Sequence, residues 1–170
     1  MRNTILVFFA SLIHLIMLEA CSKLSNNPAN PQPADPQFVQ IQFQYGFKNE
    51  LNTFDGTYQK DLVLDGTIKV PFWLTQNEQN LIVEKALAVK FFAFPDTLHK
   101  EPGVNIMPDP SPDFLRLKYE NQEKSVVWFF PLDASNPYTQ SLRELADLIR
   151  TTIESKPEYK KLPPARGGYD

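Results

Sequence analysis

Residues 38–47 read Phe-Val-Gln-Ile-Gln-Phe-Gln-Tyr-Gly-Phe. Val39, Ile41, Phe43, Tyr45 and Phe47 alternate with Gln40, Gln42, Gln44 and Gly46. A period of two puts the apolar side chains on one face of a strand and the amides on the other. Such a strand belongs to a sheet that is dry on one face and wet on the other. The apolar face must then be covered by helices.

Downstream, Asp55-Gly56 and Asp65-Gly66 are tight-turn dipeptides. They frame a second strand over 57–64 and a third from Thr67 to Val70, which Pro71 ends or places at an edge. Thr75 and Glu78 form a capping box, Thr at N-cap and Glu three residues on. A helix over 76–92 follows, with Leu81, Ile82, Lys85, Ala86 and Val89 at helical spacing, and Pro95 stops it. Phe91, Phe92 and Phe94 at its end read as core packing, with an exposed docking patch as the alternative. Residues 95–112 hold five prolines and Gly103. A break of that length is often functional or mobile.

A hairpin comes next. Leu115, Leu117 and Tyr119 alternate with Arg116, Lys118 and Glu120, and Asn121 to Lys124 turn into the apolar run 125–130, a central strand. Val126, Trp128 and Phe130 are expected to face the helices. Val127 and Phe129 would then need a cover of their own, the C-terminal tail or a protein partner. Asn136-Pro137 opens the last helix, striped by Leu142, Leu145, Ala146, Ile149 and Ile153, with Arg143, Glu144, Asp147 and Arg150 outside. Pro157 closes it, and the Pro/Gly-rich tail 157–170 is not expected to be helical. The expected fold is α+β. It is a two-layer sandwich, order βββ-α-ββ-α, with a mainly antiparallel sheet of about five strands and two helices over 38–156.

Upstream, residues 1–21 read as a lipoprotein signal. Arg2 is the cation of a short n-region, 5–18 are apolar, and Leu18-Glu19-Ala20-Cys21 resembles a lipobox. The apolar run is too short to span a bilayer, which takes about 20 residues. Glu19 and His14 depart from the usual pattern. The alternatives are an uncleaved anchor and an ordinary secretory signal with an incidental cysteine. Acylation of Cys21 with two or more chains would anchor the chain stably in a lipid bilayer. Ser22, with no Asp after the cysteine, is the pattern of outer-membrane sorting where an envelope has two membranes. Residues 22–37 carry four prolines and no hydrophobic period, and read as an extended tether of about 3.1 Å per residue.

Composition excludes much. The chain has one cysteine, two histidines, six glycines and a formal charge of −3. With the signal cleaved ahead of Cys21, that cysteine lipidated and His14 gone, His99 is the only imidazole left and no thiol is free. Thiolate nucleophiles, disulfides, iron–sulfur clusters and multi-histidine metal sites are thereby ruled out, and no cofactor is expected. The mild acidity and the absence of a basic run argue against nucleic acid. No GxGxxG, P-loop, GxSxG or HExxH motif occurs.

Asn52-Thr53-Phe54-Asp55-Gly56-Thr57-Tyr58 with Lys60-Asp61, the Leu74-Thr75…Glu78 helix start and the C-terminal PEYKKLP…GGY phrase resemble a family of short uncharacterised bacterial lipoproteins. The resemblance covers about 43–169. It implies a class and carries no known activity.

Two constellations could carry chemistry. Tyr58 and Lys60 share a strand face and could donate to an anion, while Asp61 points to the other face and needs a partner if buried. Against this stand turn chemistry for Asp55 and a structural hydrogen bond for Asp61. In the long loop, His99 could act as a base beside Asp96, Glu101 or Asp109, or Asp96-x-x-His99 could hold a metal, although solvated loop residues fit as well. Two function classes follow. One is a non-catalytic binding or accessory lipoprotein of the cell envelope, holding a protein partner through Phe129 and its neighbours, the loop or the tail. The other is a hydrolase using His99 or the Asp55/Asp61 carboxylates. The anchoring step has a direct check: Cys21→Ala is expected to leave an unlipidated precursor that takes up no labelled fatty acid, and equal labelling of variant and wild type would refute it.

Overall fold

The computed structural model describes residues 39–105, 107 and 111–169; the signal segment, Cys21 and the tether lie outside the described residues. The alternating segment forms β1, Val39–Tyr45, the middle strand of a seven-stranded mixed sheet. On one side lie β2 (Asn49–Asn52), β3 (Thr57–Asp61) and β4 (Thr67–Pro71), an antiparallel meander. On the other lie β6 (Asp113–Tyr119) and β7 (Gln122–Trp128), an antiparallel hairpin, and then the two-residue β5 (Thr97–Leu98) parallel to β7. Three helices complete the fold: α1 (Gln76–Ala88), α2 (Thr139–Ser155) and α3 (Pro157–Lys160).

The register makes one face apolar throughout. Phe43 stands opposite Leu51 in β2 and Leu115 in β6; Leu51 faces Tyr58, Tyr58 faces Val70, and Leu115 faces Val126. This row joins Ile82, Val83 and Ala86 of α1 and Leu142, Leu145, Ile149 and Ile153 of α2 in one buried core. The reverse face is polar. There Gln42 donates to Glu50 at 2.8 Å, and the Arg116 guanidinium lies 2.7 Å from Glu123 and over the Phe54 ring.

The class expected from the sequence, α+β, is the class found; the element count differs. β2 has only four residues, Asn-Glu-Leu-Asn, too short and polar to register as a periodic signal. The first strand therefore stops at Tyr45 and turns at Gly46, leaving Phe47 exposed. β5 is set within the long proline-rich break and shortens it. α1 ends at Ala88, not Phe92: Lys90 takes φ of 58°, and Phe91–Ala93 form a 3₁₀ turn. The buried stripe of α1 is Gln79, Ile82, Val83 and Ala86, and Leu81 is exposed. The hairpin turn is the two residues Glu120 and Asn121, so β7 begins at Gln122, earlier than expected. Pro157 does end α2, but it also begins α3, because proline fits the first helical turn where no N–H partner is required.

The parity expected for β7 holds for Val126 and Trp128, which are buried, and fails for Phe130, which lies past the strand and is 57% exposed. The tail does not cover Phe129. It runs to the opposite part of the sheet, where Arg166 pairs with Val63 as a bridge and with Asp65 as an ion pair. Gly167 there has φ of +84°, and a Cβ would stand 2.7 Å from the Leu64 side chain, so glycine is required. Truncation separates the two faces of β7. Trp128→Ala is expected to cost about 3–5 kcal/mol and Phe129→Ala under about 1 kcal/mol in chemical denaturation. The reverse order would place the wrong face in the core.

Candidate functional site

The strand ends at Tyr45, Asp113 and Trp128 do not meet α2 closely, and a half-open cleft of about 330 Å³ remains between them. Its floor is three rings in a row. Tyr45 stacks on Phe43 at 4.8 Å and 14°, and Phe43 lies 6.4 Å from Trp128 at 24°. Leu132, Leu142 and Ala146 form the apolar wall. Arg143, Asp147, Arg150 and Glu154, one charged edge of α2, form the rim. These four are spaced by four, three and four residues, so they share a helix face beside the buried stripe.

Asp113 is the one carboxylate on the strand side of this cleft. It has the same parity as Leu115 and Leu117, so β6 delivers it to the apolar face, directly opposite Trp128. Burial pushes its carboxyl up to about 6, against the lowering effects of the Gly46 backbone N–H, the Trp128 indole N–H and the more distant Arg150. A raised carboxyl in a cleft is a mark of a functional position. Tyr45, at the other end of the floor, shares a 2.8 Å hydroxyl–hydroxyl bond with Tyr58, and burial raises both phenols above their ordinary value.

The residues singled out from sequence go elsewhere. Tyr58 is fully buried, its ring tilted against Phe72 and Tyr159, and its hydroxyl bonded to Tyr45 and 3.4 Å from Asn49. Lys60 holds its ammonium 4.6 Å from the centre of the Tyr159 ring. Asp61 is buried and does find its partner: the Tyr169 hydroxyl donates to it at 2.7 Å, and the Val63 amide at 2.9 Å. The bond to the Asp61 carboxylate pushes the Tyr169 phenol up to about 12. Tyr169 in turn stacks on Phe47 at 3.9 Å, under Lys48. These contacts make Lys60 and Asp61 anchor points for the tail. Asp55 takes a 2.9 Å bond from Asn52 in the β2–β3 turn, at the far end of β3 from Asp61, so the two carboxylates are not a pair.

His99 is exposed and lines neither this cleft nor the polar hollow beside the β1–β2 turn. Its carbonyl accepts the Asp133 amide at 3.4 Å, while the Asp133 carboxylate is held by Ser135. Asp96 pairs with Lys124. Phe129, the first residue past β7, is 37% exposed. Among the described residues, no cluster of three His, Cys, Asp or Glu side chains could hold a metal ion, and no helix is long and apolar enough to cross a membrane.

The cleft residues were present in the sequence as a parity signal. An aspartate two positions before Leu115-x-Leu117 belongs to the apolar face, and a carboxylate there needs a reason. No family model, curated protein or solved structure matches the chain.

Because folding raises Asp113 above the ordinary carboxylate value of 3.8, the folded state holds its proton more tightly than the unfolded chain. Stability contributed at this position therefore falls as pH rises from about 4 through 6. The full shift, discounted for partial exposure, is worth roughly 1–2 kcal/mol. Asp113→Asn is expected to be more stable than wild type by about that amount at pH 7.5 and equal to it near pH 3.5, read by urea unfolding at both. A variant less stable at pH 7.5 would show that the carboxylate is a net structural asset.

Proposed function

We propose that this chain is a lipid-anchored lipoprotein of the bacterial cell envelope, outer-membrane where there is one, whose α+β domain is a non-catalytic binding module. Acylated Cys21 is the attachment to the bilayer and residues 22–37 are the tether. The cleft beneath α2 is the binding seat, and it carries the reading. It has the size of a small-ligand pocket, an aromatic floor, an apolar wall and a rim of charged groups that can orient a ligand. A carboxylate kept on the dry face at a cost to stability is consistent with selection for binding.

The hydrolytic alternative draws no support from the positions of His99, Asp55 and Asp61. General acid–base work needs groups within hydrogen-bond reach of one substrate atom. Asp55 lies in the β2–β3 turn, Asp61 at the end of β3 and His99 in the loop after β5, where it is solvated.

Filling the cleft tests the reading. Ala146 is half-buried on the lining face of α2, and Ala146→Trp would occupy much of the space. A set of small organic fragments is screened by thermal shift against the full-length chain and against Ala146→Trp. Fragments that stabilise the wild type should lose their effect in the variant, whose own midpoint stays within about 3 °C. Equal stabilisation of both proteins would move the seat elsewhere and overturn the proposal.

A further inference from the structure

The cleft has a charge imbalance as well as a shape. Its lining holds three carboxylates, Asp113, Asp147 and Glu154, and two guanidinium groups, Arg143 and Arg150. Both cations are engaged. Arg150 lies 2.7 Å from Asp147, and Arg143 donates to the Leu132 carbonyl at 3.3 Å. Asp147 is thereby matched. Glu154, on the same helix face, makes no ion pair among the described residues. Asp113 makes no ion pair among the described residues: the Trp128 indole and the Gly46 amide beside it are neutral, and Arg150 acts on it at longer range.

Three ligand types can be weighed against this. An anion would meet two carboxylates without a counter-charge, and guanidinium groups already in use. A neutral apolar body would suit the rings but would strip water from Asp113 and leave its charge unpaired, which is costly. A cation carried on an apolar body satisfies both. Its charge approaches Asp113 and Glu154, and its body lies along Tyr45, Phe43 and Trp128, where ring faces also attract positive charge.

We propose that the cleft binds a small organic cation, an ammonium or guanidinium group on an apolar or aromatic body, with Asp113 as the group that receives the charge. This rests on the cleft being the binding seat and adds the class of ligand. About 330 Å³ accommodates a body of one ring and a short chain with room to spare.

The test uses three probes of nearly equal size: 2-phenylethylamine, 2-phenylethanol and 3-phenylpropanoate. The full-length chain is labelled with ¹⁵N at tryptophan. Its two indole signals belong to Trp73 and Trp128, and Trp73→Phe assigns them. The amine is expected to move the Trp128 signal saturably and to bind at least about tenfold more tightly than the alcohol. Asp113→Asn should weaken the amine about fivefold or more and leave the alcohol unchanged. Glu154→Gln should weaken the amine by a smaller factor.

Lowering the pH from 7.5 to 5.0 should weaken the amine up to about tenfold as Asp113 takes up its proton. The charged and titratable groups facing it are Tyr45 of β1, Arg143, Asp147, Arg150 and Glu154 of α2. Glu154→Gln repeated at both pH values isolates the share due to Asp113. An alcohol that binds as tightly as the amine, or a carboxylate that binds more tightly, overturns the cation assignment and leaves the seat standing. If none of the probes moves Trp128 while other fragments are lost in Ala146→Trp, the cation assignment alone fails. If no ligand of any kind depends on Ala146, both fall together.

Discussion

One row of side chains governs this domain. Val70, Tyr58, Leu51, Phe43, Leu115 and Val126 stand opposite one another across consecutive strand pairs. Side chains alternate along a strand, so a slip of one residue in the pairing of β1 with its neighbours would set the amides of β1 against the apolar row and its aromatics against the polar face. β1 has the strictest alternation and pairs on both edges. It therefore joins the β2–β4 meander to the β6–β7 hairpin, and the rest of the sheet takes its register from it.

The helices are held to this row from both ends of the chain. Glu78 closes the capping box of α1 by accepting the Thr75 amide at 2.7 Å. The same carboxylate receives Lys156, the residue that ends α2, at 2.9 Å. Lys156 is almost fully buried and also lies near the Phe72 ring. A buried cation is tolerated only with such a partner, and removing either member would strand the other. One glutamate thus caps the start of α1 and ties it to the residue that follows α2. The cleft depends on that spacing, because its wall is the middle of α2 and its floor is the sheet.

Legibility in the sequence followed the strength of local periodicity. β1, the α1 cap, the α2 stripe and the inward parity of Trp128 were all readable, because each is repeated over several residues or has a defined offset. β2 and β5 were not. They have four and two residues and exist because longer strands beside them leave backbone groups to pair. The tail was misjudged for a similar reason. Its composition discourages long helices, but its fixing points, Tyr159, Arg166 and Tyr169, act on Lys60, Asp65 and Asp61, about a hundred residues away. Asp61 was correctly read as needing a partner, which only the fold could name. Asp113 is inconspicuous in sequence beside a lone histidine or carboxylates in turns, because it sits within an ordinary strand pattern.

β1 also has a direction. The chain enters the sheet at Val39, beside Tyr119 at the closed end of the β6–β7 hairpin, and lines the cleft with Phe43 and, at the far end of the strand, Tyr45. Seven residues of strand separate these points by about 20 Å. The end of the sheet at which the chain enters and the end that carries the cleft are therefore opposite ends of one strand.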